Sequence, residues 1–196
     1  MIDANEFHQL IEGARTYRRY SGEAVEEGVL RELVDAARLS PCGNNMQVLR
    51  FRVVSADDAE AAEKVFSHLH WAGALKDWTG PEPGERPGGY VVVCLPAKLV
   101  ANPIRLIDVG IASQSIVLAA ASRGLGACMH KSYDACLGDE LGLTDAGYAV
   151  AMVISLGPRA EKIVLEPATT DHGLTYWREP DGSHHVPKLA LGDLLV

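Results

Sequence analysis

Residues 102–126 read NPIRLIDVGIASQSIVLAAASRGLG, and the period of their apolar side chains decides the class of the chain. From about Asn102 to Arg123 the spacing predicts the longest helix, with Ile104, Ile107, Ile111, Ser115 and Leu118 lining one side. Ala112, Ala119, Ala120 and Ala121 keep the rest slim. Such a helix can approach a neighbour closely, at a packed centre or at a dimer interface. Arg123-Gly124 is the expected stop, a cation near the negative end of the helix dipole followed by a residue free to turn left-handed. Strand-like runs lie on either side, Tyr90 to Leu95 before the helix and Ala127 to His130 after it. A long helix between strands points to an α/β or α+β class.

The same alternation extends in both directions. Asp3 with Glu6 three residues on reads as a capping box, opening a helix with Phe7, Leu10, Ile11 and Ala14 at helical spacing. A second helix is predicted from Val25 to Leu39, with Leu30, Leu33, Val34 and Ala37 on one face, and Ser40-Pro41 stops it. Phe51 to Val54 reads as a strand, and Asp57 is the expected cap of a third helix running through Leu69. Between Gly80 and Gly89 seven of ten residues are Gly or Pro, the composition of a surface loop and a candidate lid. Asp134 to Leu141 reads as a short helix, and Tyr148 to Leu156 as the strongest strand, ended by Gly157-Pro158. Tyr176-Trp177-Arg178 and His184-His185-Val186 flank Asp181-Gly182, which reads as a hairpin turn. There are about four main strands and no internal repeats.

The 196 residues suit one domain spanning residues 1–196, large enough to bury about 70% of its unfolded surface without a metal or disulfides. Apolar residues at 47% and charged residues at 22% exclude a disordered chain. The longest apolar run, Tyr148 to Ile154, falls far short of the roughly 20 residues that span a bilayer. The start carries no basic, apolar leader, so a cytoplasmic location is expected. Eighteen Lys and Arg against 26 Asp and Glu leave a net charge of −8. That balance argues against nucleic acid and anionic membranes as partners.

Several chemistries are absent from the spacing. There is no Gly-x-Gly-x-x-Gly, P-loop, Gly-x-Ser-x-Gly or His-Glu-x-x-His. His68-x-His70 and His184-His185 have no acidic or cysteine partner at ligand spacing, so no metal is expected. Cys42, Cys94, Cys128 and Cys136 form no Cys-x-x-Cys pair and read as reduced thiols.

Three segments remain. Arg15-Thr16-Tyr17-Arg18-Arg19-Tyr20 places three cations and a hydroxyl just past the first helix. They are either solvated cations complementing the helix dipole or guanidinium forks for a phosphate. Ser40-Pro41-Cys42-Gly43-Asn44-Asn45-Met46-Gln47 has the composition of a turn. Its Asn45 and Gln47 amides are spaced to face the same way in an extended segment, where they suit the donor and acceptor edge of a planar heterocycle. Asp108-x-Gly110-x-Ala112-x-Gln114, followed by Gly124-Leu125-Gly126, is compatible with helix packing and a C-cap alone. Its glycines follow the helix, so no helix N-terminal anion site is implied.

In this order the three segments resemble the nitroreductase family of FMN-dependent oxidoreductases, over nearly the whole chain from Ala14 to Lys188. The resemblance implies an α+β fold, a sandwich around a central mixed sheet of four to five strands flanked by helices, built as an intertwined homodimer. It implies FMN as cofactor and NADH or NADPH as reductant. A nitroaromatic, quinone or similar small acceptor would be reduced by a ping-pong mechanism, with no catalytic residue beyond the flavin. By resemblance Arg15, Thr16 and Arg18 hold the flavin phosphate and ribityl chain, and Lys188 completes the phosphate site. Pro41, Cys42 and Gly43 match a loop lent by the partner subunit to the isoalloxazine ring, Asn45 and Gln47 match amides of that segment, and Leu125 and Gly126 match backbone near the flavin. The chain departs from the family pattern at Ala14 (usually Arg), Cys42 (Ser), Ser115 (Asn) and Val48-Leu49 (Pro-Trp). The missing arginine weakens the phosphate clamp unless Arg19 or Lys188 compensates. The alternative is a flavin-binding protein, or a related flavin enzyme of the same fold for reductive dehalogenation or flavin breakdown.

Overall fold

A computed structural model describes residues 3–75, 78–169 and 173–196. Its main sheet has the order β1-β2-β4-β3, from β1 (Arg50–Ser55), β2 (Gly89–Pro96), β3 (Leu125–His130) and β4 (Tyr148–Pro158). All three pairings are antiparallel, so the expectation of a mixed sheet is corrected. The chain does cross over from β2 to β3 through helix α4 (Pro103–Ala121). Those two strands run in the same direction, but β4 lies between them and pairs with both. Among the described residues, parallel pairing touches this sheet only at its β3 edge, through the bridge Thr16–Ala127.

The period of two along β2 sorts the core. Val91, Val93 and Leu95 face α2 (Glu27–Arg38) and α4, whereas Tyr90, Val92 and Cys94 face α3 (Ala59–Ser67) and α5 (Leu137–Glu140). Both faces are covered, which is why this strand is apolar throughout. The register slips between Val93 and Cys94, which pair with Met152 and Val150. The unpaired Ala151 and its neighbour Met152 therefore both pack on the α2–α4 side. Burial pushes the Cys94 and Cys128 thiols up to about 12, and all four cysteines are free.

A smaller sheet carries the C-terminal part, in the order β5 (Ile163–Pro167), β7 (His184–Lys188), β6 (Trp177–Arg178), with β5 and β7 parallel. The hairpin expected around Asp181-Gly182 joins β6 to β7, with Gly182 at φ +82.

Helix ends follow their caps. Helix α1 (Ala4–Gly13) opens on the Asp3–Glu6 capping box. The third helix is capped by Asp58, which accepts from the Ala61 N–H at 3.1 Å, and not by Asp57, whose carboxylate accepts from the Ser55 hydroxyl. The candidate lid loop is tied to the cationic segment, since the Tyr20 N–H donates to the Glu85 carbonyl at 3.0 Å.

The expected stripe on the long helix faces outward at its N-terminal end and is half-buried from Ile111 to Leu118. What α4 buries is Arg105, Asp108, Val109, Ala112, Ser113, Ile116, Val117 and Ala120, whereas Ile104 and Ile107 are 52% and 61% exposed. Helix α1 buries nothing and leaves Phe7 and Ile11 exposed. By length and composition α4 could cross a membrane, but its buried face packs on α2 and the sheet.

Candidate functional site

The cationic segment is laid along β3 by its tyrosines. Thr16 bridges Ala127, and the Tyr17 N–H donates to the Ala127 carbonyl at 2.9 Å. Tyr17 and Tyr20 are buried. The Tyr20 hydroxyl donates to the Tyr17 carbonyl at 2.7 Å and lies 2.9 Å from Ser155 Oγ, while burial holds its pKa well above the usual phenol value. With both aromatic rings inside, Arg15, Thr16 and Arg18 face a depression of about 320 Å³ that Lys188 completes from the end of β7. Three cations meet there, and no described Asp or Glu lines it, although the chain as a whole carries −8.

Two buried atoms beside this depression have no partner among the described residues, Arg15 Nε and His184 Nδ1. An unsatisfied buried polar group costs about 1–3 kcal/mol, and a phosphate or hydroxyl-bearing chain would relieve that cost. His184 is held neutral at pH 7, its pKa lowered to about 4 by burial and then by Arg18 and Arg178. The Arg18 guanidinium lies 5.1 Å from the Tyr176 ring centre. The residues present therefore suit the phosphate end of a flavin nucleotide.

Glu161 supports the segment from behind. Its carboxylate, 2% exposed, pairs with Arg178 at 3.2 Å and accepts from the backbone N–H groups of Arg18 and Arg19. Arg19 itself turns away to Glu85 at 3.3 Å, so it does not replace the arginine missing at Ala14. Lys188 does reach the depression.

The second segment is built on α4. The Gly43 N–H donates to Asp108 Oδ1 at 2.7 Å, and Arg105 Nη1 donates to the Gly43 carbonyl at 3.1 Å. Arg105 and Asp108 are themselves a buried pair at 2.9 Å. A Cβ on Gly43 would sit 2.6 Å from Ile104 Cγ2, so only glycine lets the loop settle there. Ser115, where the family pattern has asparagine, bonds Ser40 at 2.7 Å.

Pro41, Cys42 and Gln47 line a second depression of about 280 Å³ with Asp108 and Ala112. Gly43 and Asn45 lie outside its lining. The extended conformation expected for Asn45 and Gln47 is not found. Gly43–Asn45 is a 3-10 turn, and Asn44, Asn45 and Gln47 have φ of +56, +52 and +48. Successive left-handed residues break the period of two, so that period no longer sets the two amides on one face. Such strain at a non-glycine costs of order 1–3 kcal/mol and gathers at functional segments.

Leu125 and Gly126 line neither depression. A Cβ on Gly126 would meet Tyr17 Cγ at 2.7 Å, so packing of Tyr17 suffices to require glycine there. A larger groove of about 790 Å³ lies between α2 and β1, and its two helix arginines are paired along α2, Arg31 to Glu27 and Arg38 to Asp35.

The two depressions share no lining residue. Asp108 and Ala112 border one, Gln114 and Val117 the other. At about 100° per residue these pairs lie on roughly opposite sides of α4. Within one chain the expected site residues thus form two separate halves. Gln114 belongs to the third segment and lines the cationic depression; Tyr176, His184 and Glu161 carry no such mark, since their roles depend on pairings across long separations that no local spacing shows.

The chain matches the family model described as Nitroreductase family over residues 11–158. Among solved structures it is similar to a Desulfovibrio desulfuricans protein described as a nitroreductase in complex with FMN, at 24% identity and TM-score 0.71, covering 100% of this chain and 97% of that one. A Parabacteroides distasonis protein described as an NADH dehydrogenase/NAD(P)H nitroreductase is 25% identical with TM-score 0.62, over 79% of this chain and 89% of that one. A nitroreductase family protein of Clostridium difficile 630 is 18% identical with TM-score 0.64, over 96% and 95%. No curated protein matches the chain.

Proposed function

Because the chain belongs to the nitroreductase family, we propose that it is an FMN-dependent oxidoreductase taking hydride from NADH or NADPH. The second substrate is a small acceptor such as a nitroaromatic or quinone. The observation that carries this reading is the cationic depression, with Arg15, Arg18 and Lys188 converging on a space that no described carboxylate lines. The Desulfovibrio relative's complex with FMN supports the choice of ligand.

When bound, FMN supplies the hydride and electron chemistry. The chain's own part is to hold and orient. Arg15, Arg18 and Lys188 neutralise the phosphate through charge-assisted bonds, and Thr16 offers a hydroxyl to the same chain of oxygens. Neutral His184 satisfies a hydroxyl or phosphate oxygen without adding charge. Leu125 and Gly126 act through backbone, keeping β3 in register beneath Tyr17.

The loop half is supplied by a second copy of the chain. Pro41, Cys42, Gly43, Asn45 and Gln47 sit on the far side of α4 from the cations, so a homodimer brings the loop of one copy to the cations of the other. The exposed Ile104 and Ile107 on α4 and Phe7 and Ile11 on α1 are the apolar surface such a dimer covers. Cys42 contributes backbone there, its thiol accepting from the Gln47 N–H at 3.4 Å.

The test is anaerobic. Purified protein loaded with FMN is titrated with NADH and with NADPH while the flavin spectrum is followed, and a quinone or nitroarene is then added. Loss and return of the oxidised spectrum are expected. Flavin that stays oxidised with both nucleotides contradicts the reading.

A further inference from the structure

The His68-x-His70 pair has no part in the flavin site, yet the fold builds a cluster around it. His68 caps the end of α3, and the chain after it is laced to the segment before α5. Leu69 bridges Tyr133, the Asp134 N–H donates to the His68 carbonyl at 3.0 Å, and the His70 N–H donates to the Ser132 carbonyl at 3.1 Å. Buried Leu137 fixes α5 against the sheet. Two stretches more than sixty residues apart in sequence are therefore held in fixed register by backbone.

The side chains converge on the half-buried His68 ring. Its Nε2 lies 3.2 Å from Glu140 Oε1. Its Nδ1 lies 3.0 Å from Asp134 Oδ2 and 3.7 Å from Cys136 Sγ. The other Asp134 oxygen takes His70 Nε2 at 2.8 Å. One donor atom each from His68, Cys136 and Glu140 lies within 4.8 Å of the others. Lys64, one turn before His68 on α3, is paired to Glu60 at 2.7 Å, which leaves the Glu140 carboxylate to the cluster.

We propose that His68, Cys136 and Glu140 form a binding site for a divalent cation of the zinc class. One imidazole, one thiolate and one carboxylate are the donor set that a borderline-soft ion such as zinc accepts, at bond lengths of about 2.0–2.3 Å. Cys136 and Glu140 are exposed, so their side chains are free to rotate to those lengths. Asp134 is a positioning residue. It holds one ring nitrogen of His68 and so orients the ring for the ion, the carboxylate–imidazole arrangement found behind metal-bound histidines. The thiol proton is released to solvent on binding. The ion ties the end of α3 to α5, on the opposite face of the sheet from α4, and takes no part in the flavin chemistry.

Cobalt(II) is the probe, because cobalt bound to a thiolate absorbs in the near ultraviolet. Titration of the full chain is expected to give a saturable absorption at one ion per chain and a melting temperature that rises with metal concentration. Cys136→Ser should abolish the absorption with the far-ultraviolet circular dichroism unchanged, and Glu140→Gln should weaken binding at least tenfold. Cys42→Ser, a change at the other partly exposed thiol, should leave the titration as it was. No thiolate absorption with the folded protein, or an absorption that persists in Cys136→Ser, overturns the proposal.

Discussion

The Asp108 carboxylate accepts a 2.7 Å hydrogen bond from the backbone N–H of Gly43, sixty-five residues away. Arg105 pairs with the same carboxylate and grips the Gly43 carbonyl. The strained 43–47 turn thus rests on a buried ion pair in the central helix. Removing one member leaves the other charge buried and unpaired. Asp108→Ala should therefore lower stability by about 3–5 kcal/mol in urea unfolding, and release the loop to proteolysis before the rest unfolds. Asp108→Asn, which keeps an acceptor for Gly43, should cost less.

The cationic half separates Arg18 from Arg19. Arg18→Ala should weaken FMN binding by about 1.5–3 kcal/mol, the scale of a hydrogen bond to a charged group. Arg19→Ala should leave affinity nearly unchanged, because Arg19 is turned to Glu85. Fluorescence titration of the apoprotein with FMN measures both, and equal losses would contradict the placement.

Gly126 links packing to binding. Its added Cβ would meet Tyr17 Cγ and Cβ at 2.7 and 2.8 Å, atoms close to the backbone that cannot swing aside. Gly126→Ala should destabilise by about 1–3 kcal/mol and, by displacing Tyr17, reduce flavin affinity as well. A stability loss with unchanged affinity would show that Arg15 to Arg18 are held independently of Tyr17.

Histidine burial sets an acid limit. His130 is buried among Trp71, whose ring centre is 4.6 Å away, and Ser155, at 2.9 Å. Burial first, and then Arg18, lowers its pKa from 6.5 to about 4. Between those values the unfolded chain binds a proton that the folded chain refuses. The stabilisation is therefore complete above pH 6.5 and is lost as pH falls towards 4, by about 3 kcal/mol for this group. His184, also lowered to about 4, adds a loss in the same window. Urea midpoints should fall between pH 7 and pH 4.5, and His130→Gln should flatten the slope.

Much of the frame is legible in local sequence because local physics sets it. The Asp3–Glu6 box, the stop at Arg123-Gly124, the apolar run of β4 and the Asp181-Gly182 turn all act within a few residues. Period alone did not orient the long helix. The Ile104–Ile107 side reads as a core stripe, yet the buried side carries Arg105 and Asp108 beside Val109, Ile116 and Val117, because α4 packs on α2 and holds the loop. Three left-handed residues in Asn44–Gln47 are invisible to a period-two reading. Glu161, Tyr176 and His184 enter the site only through pairings with segments far away in sequence, as do Asp134, Cys136 and Glu140 around His68.

The central claim is that cations and loop from opposite sides of α4 meet only between two copies. Mixed dimers test it, combining one chain carrying Arg18→Ala with another carrying the loop-filling Cys42→Trp, each impaired as a homodimer. If each site draws on both copies, one of the two sites in the mixed dimer is wholly native, and tight FMN binding should return at half the wild-type stoichiometry. If mixing restores no tight binding, each chain completes its own site and the account is wrong.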